Sequence, residues 1–274
     1  MLFLRKKNWK YSQTLVNLIA LHLLFLALPA LSDQKSSADK GLAIAKEVER
    51  RDQGWGDSAS ELEMELTNKQ GHSSSRKMSI KTMEVDGDGD KSLTVFHEPR
   101  DVKGTAFLSF SHSLEPDQQW LFLPALKRVK RIASANKSGP FLGSEFAFED
   151  ISSFEVDKYA YEYLRDESLN GLDCFVVKYT PKYEHSGYSF QEVWIDKSEY
   201  RIQKIDYYDR KESLLKTQQF LGYKKYLDKY WRASEFLVNN HQTGKSTKLT
   251  WQNYEFNQGL SDSDFNKNTL KRAR

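Results

Sequence analysis

Residues Gln119–Ile132 read QWLFLPALKRVKRI, and this stretch is the most informative one about the fold of the chain. Side chains of a β-strand alternate between its two faces, so Trp120 and Phe122 point to one side while Leu121 points to the other. Both faces of this first half are apolar, which predicts a strand that is covered on both sides. Pro124 cannot donate a ladder hydrogen bond, so it marks a bulge, an edge or a break.

The second half of the stretch is basic. Its cations, called the basic run below, are Lys127, Arg128, Lys130 and Arg131. One interpretation is a solvated strand face whose cations pair with acids such as Glu61, Glu63 and Glu65. The other is a docking patch for anionic lipid headgroups or for an acidic partner. The residues alone leave both interpretations open.

Alternation of apolar and polar side chains continues on both sides of this stretch, as is typical of half-buried strands. Leu62, Met64 and Leu66, for example, alternate with glutamates. In the second half of the chain the candidate strands are Tyr159–Asp166, Leu172–Thr180, Tyr188–Asp196, Arg201–Tyr208, Lys216–Leu227, Tyr230–Asn239 and Ser246–Phe256. About eleven strands at hairpin spacing predict a mainly β protein whose antiparallel sheet curls or closes.

Two helices and one tight turn are predicted outside the strands. Residues Ala38–Asp52 carry an approximate apolar stripe and are followed by two glycines, which predicts a helix. A short second helix over Asp262–Leu270 would take Ser261 as its N-cap. The run DGDGD at Asp86–Asp90 is typical of a hairpin turn, because it lacks the glycine and glutamate positions of an EF-hand calcium loop.

The N-terminus has the pattern of an export signal. Residues Arg5–Lys10 contribute four cations without an acid, Leu15–Leu28 is an apolar segment, and small residues lead up to Ser32. We predict a secretory signal peptide at residues 1–32, cleaved after Ser32, and a single mature domain at residues 33–274. A membrane anchor is the alternative, although this apolar segment is shorter than the ~20 residues that span a bilayer.

Charge and cysteine content limit the classes of function. The formal charge of the chain is +3, and removal of the four cations of the predicted signal peptide leaves −1. A nucleic-acid partner is therefore not implied. Cys174 is the single cysteine, which excludes an internal disulfide. Its apolar neighbours are typical of a small buried hydrophobe rather than of a nucleophile.

Motifs of catalysis and metal binding are absent from the sequence. It contains no HExxH, no GxSxG and no P-loop, and none of its six histidines is paired at metal-ligand spacing. The carboxylate pair Glu149–Asp150 is of a kind that is common on wet surfaces. We therefore predict a protein that is not an enzyme and that uses no metal or cofactor. An envelope hydrolase with dispersed carboxylates is the alternative.

Three consecutive segments carry a resemblance to a known family. They are FHEPRDVKGTAFLSF at residues 96–110, QWLFLPALKRVKRI, and KSGPFLGSEFAFEDI at residues 137–151. Together they resemble the outer-membrane lipoprotein-sorting proteins, which are LolA-like and periplasmic, in the subgroup related to a LolA-like lipoprotein of Treponema. The resemblance runs from about Ala43 to the C-terminus. It implies a half-open antiparallel β-barrel with a few helices plugging an apolar hollow.

The resemblance also implies a function. The protein would be a periplasmic carrier that takes acyl chains of a lipoprotein or lipid into the hollow and moves them toward the outer membrane. Its partners would include an inner-membrane transporter and an outer-membrane acceptor. A periplasmic lipid-sensing module bound to an inner-membrane partner is the alternative. A carrier fits the physics, since a sixteen-carbon chain exposed to water costs ~12 kcal/mol at ~0.8 kcal/mol per CH₂.

Candidate cargo-binding residues follow from the aromatic content. Aromatic residues make up 13% of the chain, and they either fill a core or line a lipid-sized cavity. The loop Ser134–Glu145 is the candidate lid, with an ordinary hydrophobic plug as the alternative. The predicted cavity and lid residues are Trp120, Phe122, Phe141, Leu142, Phe146, Phe148 and Trp194. The predicted docking residues are the four cations of the basic run.

Overall fold

One antiparallel sheet of thirteen strands dominates the computed structural model, which describes residues 34–273. Within these residues one α-helix, α1 (residues 34–52), precedes the sheet. The strands are β1 (Asp57–Thr67), β2 (Ser73–Met83), β3 (Lys91–Glu98), β4 (Ala106–Phe110), β5 (Gln118–Leu123), β6 (Arg128–Ile132), β7 (Tyr159–Leu169), β8 (Leu172–Pro181), β9 (Tyr188–Asp196), β10 (Ile202–Asp209), β11 (Leu214–Tyr226), β12 (Tyr230–Asn240) and β13 (Ser246–Phe256). The predicted signal peptide and its cleavage site lie outside the described residues.

The mainly β fold class is confirmed, with thirteen strands rather than about eleven. Part of the difference arises because the single stretch Gln119–Ile132 contributes two strands, β5 and β6. The predicted final helix Asp262–Leu270 is wrong. That segment forms two 3₁₀ turns, Asp262–Asp264 and Leu270–Arg272. Phe265 and Leu270 are both buried, and a spacing of five residues does not place two side chains on one helix face.

The sheet is a meander that stays open. Its strand order is β6-β5-β4-β3-β2-β1-β13-β12-β11-β10-β9-β8-β7, so β6 and β7 form the two edges. These edge strands are consecutive in the chain. Residues 133–158, called the plug below, connect them across one face of the sheet, the inner face.

The inner face is shared between α1 and the plug. Ile44 and Ala45 of α1 pack on a cluster from β7–β10 that includes Val193. Phe141 of the plug packs on a second cluster, from β1–β6 and β12–β13, that includes Phe107, with the two ring centres 5.1 Å apart. The family resemblance implies a few helices that plug the hollow. In the structure one α-helix, α1, and one irregular segment, the plug, occupy that place.

The start of α1 covers part of the edge strand β7. The helix begins before the predicted Ala38, and the hydroxyl of Ser37 donates a 2.8 Å hydrogen bond to the carbonyl of Tyr163. Gly41 permits the close approach, because a Cβ at this position would lie 2.8 Å from the Tyr163 nitrogen. Covering an edge in this way prevents its unpaired backbone groups from recruiting another strand.

Strand β5 is buried on both faces, which confirms the expectation from its sequence. Leu121 belongs to the inner cluster beneath the plug. Trp120 and Phe122 belong to a separate cluster on the outer face, where the C-terminal segment covers them with Phe265 and Leu270. The stretch QWLFLPALKRVKRI is therefore a hairpin, and Pro124 begins the 3₁₀ turn that ends β5.

A buried ion pair fixes the plug to the sheet. Lys216 Nζ of β11 lies 2.5 Å from Asp150 Oδ2, and the two side chains are only 3% and 4% exposed. Lys216 also donates to the Glu145 carbonyl at 2.8 Å, and the Tyr188 hydroxyl donates to Asp150 at 2.8 Å. The carboxylate that we expected on a wet surface is thus desolvated and fully partnered.

A second charged cluster holds both ends of the plug. Asp117, just before β5, lies 2.5 Å from Lys158 Nζ and 3.4 Å from Lys137 Nζ. Burial by itself would raise the pKa of Asp117, but the two ammonium groups outweigh it and hold that pKa below its usual value. Nearby, the buried Gln119 amide donates to the Phe148 carbonyl at 2.9 Å.

We predict that Lys216→Met lowers the free energy of unfolding by about 3 kcal/mol, because it leaves the Asp150 charge buried without its partner. Chemical denaturation at neutral pH measures the loss. The matched control is Lys248→Met, whose 3.6 Å pair with Glu65 is 40% exposed on both sides. Removing that exposed pair should cost less than about 1 kcal/mol. Equal losses in the two variants would contradict the anchoring role of the buried pair.

Candidate functional site

A cavity of about 1330 Å³ remains on the inner face between α1 and the plug. Residues 48–52 at the end of α1 form one wall, and residues 153–157 of the plug contribute to another. The remaining walls come from the β2–β3, β9–β10 and β11–β12 connections. Pockets for drug-sized molecules measure ~300–1,000 Å³, so this cavity has room for a larger ligand.

The floor of the cavity is hydrocarbon. It is formed by partly buried side chains that belong to the two inner clusters and face the remaining space. Phe220 and Phe236 lie on neighbouring strands with ring centres 4.6 Å apart. The floor residues are Val48, Phe154, Ile202, Phe220 and Phe236.

The walls and rim of the cavity are charged. Ten carboxylates and six cations line it. Several are already paired: Arg232 bonds Asp52 at the end of α1, and Arg201 bonds the buried Asp196 at 2.8 Å. Arg201 also lies 4.6 Å from the centre of the Trp231 ring. The cavity therefore combines an apolar floor with a polar entrance, as a site for an amphiphile requires.

The run DGDGD forms part of this rim as the β2–β3 turn, which confirms its interpretation as a hairpin turn. Asp88 Oδ2 lies 2.7 Å from His112 Nδ1, and Asp88 Oδ1 accepts the Ser113 N–H at 2.8 Å. Although burial opposes the shift, these contacts hold the pKa of Asp88 at about 2. Among residues 34–273 no group of histidine, cysteine, aspartate and glutamate side chains has the geometry of a metal site.

Asp90 is a rim carboxylate whose pKa is shifted in the opposite direction. Burial, together with the negative charges of Glu155 and Glu84, raises the pKa of Asp90 to about 7. Glu155 is engaged by the Ser153 hydroxyl at 2.7 Å, yet burial also raises its pKa. The cavity thus contains a carboxylate whose charge changes near neutral pH.

This raised pKa predicts a pH dependence of stability. An unfolded aspartate loses its proton near pH 4, whereas Asp90 in the folded chain loses it near pH 7. Folding is therefore opposed increasingly as pH rises from about 4 to about 7. We expect Asp90→Asn to raise stability only slightly at pH 4.5 and much more at pH 8, where the difference between the two pKa values corresponds to at most about 4 kcal/mol.

Denaturant unfolding across this pH range checks the expectation. Asp86→Asn, at an exposed position of the same turn, is the matched control because solvent surrounds that side chain. A gain for Asp90→Asn that is the same at pH 4.5 and at pH 8 would contradict the assignment.

The predicted lid residues belong to the plug and lie together on its side that faces the sheet. Phe141 and Phe146 are 2% and 3% exposed, and Phe148 and Leu142 pack against the same inner cluster. Their contacts are those of a plug seated on the sheet. None of the four lines the cavity, so their role in binding cargo stays a prediction.

The other predicted cavity residues do not join them. Trp120 and Phe122 lie on the outer face under the C-terminal segment. Trp194 packs with Cys174 in another cluster and lies 3.4 Å, ring centre to Nζ, from Lys204. A register shift near the start of β9 separates Tyr188, which packs on the inner face, from Trp194. The structure therefore does not bring the predicted cavity residues together around one hollow.

The basic run lies on the edge strand and the turn before it, and all four cations are exposed. The expected pairing with Glu61, Glu63 and Glu65 is wrong. Four strands separate β1 from β6, and Glu65 pairs instead with Lys248. Among the described residues no acid forms an ion pair with the run. Its function as a docking patch stays a prediction.

The floor residues of the cavity were missed by the sequence analysis. Val48 is part of the predicted apolar stripe of α1, which indicated burial but not what the stripe faces. Phe220 and Phe236 are ordinary strand positions whose exposure depends on where α1 and the plug end. No local pattern distinguishes a side chain that borders a cavity from one that fills a core.

Comparisons with solved structures define the class of protein. A LolA superfamily protein from Nitrosomonas europaea is 19% identical, with a TM-score of 0.67 over 85% of this chain and 98% of that one, which shows the LolA-like fold. A DUF1329 family protein from Desulfovibrio piger is 31% identical, with a TM-score of 0.81 over 85% of this chain and 99% of that one. None of the curated proteins matches the sequence.

The family follows from a nearer relative. An outer membrane lipoprotein-sorting protein domain from Vibrio parahaemolyticus is 59% identical, with a TM-score of 0.84 over 86% of this chain and 100% of that one. The model of one family, described as an uncharacterized protein, matches residues 88–272. The chain belongs to the family of outer membrane lipoprotein-sorting proteins. No helix in the described part of the chain is long and apolar enough to cross a bilayer.

Proposed function

We propose that this protein is a periplasmic carrier that holds acyl chains of a lipoprotein or lipid in the cavity between α1 and the plug. It moves them toward the outer membrane, between an inner-membrane transporter and an outer-membrane acceptor. The observation that carries the proposal is the cavity of about 1330 Å³ with an apolar floor, in a fold of the lipoprotein-sorting family. The carrier has no catalytic role in this proposal.

The cavity suits an amphiphilic cargo. Acyl chains that pack on Phe220 and Phe236 are removed from water, which is favourable by ~0.8 kcal/mol per CH₂. A polar headgroup stays at the charged rim. The rim offers both signs of charge, so it can solvate a headgroup of either sign. Cargo enters and leaves at this rim, because the anchored plug closes the rest of the inner face.

The cavity assignment predicts the effect of filling it. Val48→Trp, at the end of α1, should lower the affinity for a fatty acid or diacylated lipopeptide by about tenfold, because the indole displaces about two CH₂ groups. Ala43→Trp, on the exposed side of the same helix, is the matched control and should bind like the parent. Binding of a fluorescent fatty acid to delipidated protein and native mass spectrometry provide the measurements.

The outcomes are separable. A parent protein that takes up neither fatty acid nor lipopeptide would overturn the carrier function. Uptake that Val48→Trp leaves unchanged would keep a carrier but place its cargo elsewhere, and the plug residues Phe141 and Phe146 would then be the next candidates.

A further inference from the structure

Two segments that are distant in sequence meet at one edge of the sheet. Val129 of β6 packs in the same outer cluster as Leu270 of the C-terminal turn. Arg131 is the cross-strand neighbour of Trp120, and Lys267 Nζ lies 5.8 Å from the centre of that indole ring. The fold therefore places the basic run beside the cations of the C-terminal segment.

The combined surface is strongly positive. All seven of its cations are exposed, and in the described part of the chain none of them forms an ion pair. We call them the edge patch: Lys127, Arg128, Lys130, Arg131, Lys267, Lys271 and Arg272. The two acids of the same C-terminal segment are engaged elsewhere, since Asp262 pairs with Lys91 at 2.6 Å and Asp264 with Lys81 at 3.3 Å.

An apolar side chain stands among these cations. Leu126 ends the 3₁₀ turn between β5 and β6 and is 63% exposed, directly before Lys127 and Arg128. Exposure of a leucine side chain to water is unfavourable, and its transfer into the interfacial region of a bilayer lowers the free energy. Clustered lysines and arginines are attracted to anionic headgroups at the same depth.

We propose that the edge patch and Leu126 form a docking surface for bilayers that contain anionic phospholipids. The cations bind the headgroups and Leu126 enters the interface. This inference rests on the proposed carrier function, because a carrier has to meet the membranes between which it moves cargo. It commits to a lipid surface, and an acidic protein partner becomes an outcome of the test.

Vesicle co-sedimentation of the whole mature protein tests the proposal. The vesicles are phosphatidylcholine alone or phosphatidylcholine with phosphatidylglycerol, at low and at high salt. Binding should require phosphatidylglycerol and weaken at high salt. Substituting glutamine at Lys127, Arg128, Lys271 and Arg272 should lower the partition coefficient at least about tenfold. The charge-matched control substitutes four exposed lysines outside the patch, Lys46, Lys182, Lys211 and Lys245, and should bind like the parent.

The leucine has its own variant. Leu126→Ser should weaken vesicle binding by about threefold to tenfold without changing its salt dependence. Leu221→Ser, at a leucine on β11 that is 36% exposed, is the control and should have no effect. All of these positions are exposed, and circular dichroism verifies that each variant is folded.

Several results would overturn the docking surface. They are failure of the parent to bind phosphatidylglycerol vesicles at low salt, equal binding by the patch and control variants, and patch-dependent binding to soluble polyglutamate without binding to vesicles. The last would point to an acidic protein. Acyl-chain uptake by the same variants separates the two proposals: intact uptake without vesicle binding removes only the docking surface, whereas absent uptake in the parent removes the carrier function.

Discussion

The buried pair between Lys216 and Asp150 is the interaction on which the rest of the architecture depends. An open sheet exposes an apolar inner face, and here an irregular segment rather than a closing strand covers half of it. Such a segment has no ladder of hydrogen bonds to hold it, so its position is set by its apolar packing and by a few desolvated charges. These charges are Lys216 on one side and the cluster around Asp117 on the other. A misplaced plug leaves these charges unpaired in the interior, which is strongly unfavourable.

The size of the cavity follows from that constraint. The plug cannot spread over the whole inner face while its carboxylate and carbonyl groups are held at Lys216. Helix α1 is held in turn at β7, where Gly41 brings it against the backbone of Tyr163. The space between the two is therefore left by anchoring and not by poor packing. The two edges of the sheet are protected from pairing with another strand in different ways. Helix α1 covers part of β7, whereas β6 carries exposed cations.

Local patterns predicted the strands, because each strand buries one face and its alternation is visible in four to eight residues. The class of fold followed, and with it the family resemblance. The prediction of which side chains from different strands share a face of the sheet was wrong. A register shift near Tyr188 places Trp194 on the face opposite to the inner cluster, and such a shift leaves no signal in the alternation. The cavity floor and the meeting of Arg131 with Lys267 also depend on long-range placement that one sequence does not display.

The geometry of the hairpins adds a consequence for transport. Because successive strands are antiparallel, the β2–β3 turn and Ser113 lie at one end of the strands, at the cavity rim, while Leu126 lies at the opposite end of β5. A bilayer that binds Leu126 would therefore approach the strand ends opposite to the entrance of the cavity. In the proposed function, docking at that end would leave the rim free for a second partner. Binding a membrane and exchanging cargo would then be separate events on separate surfaces.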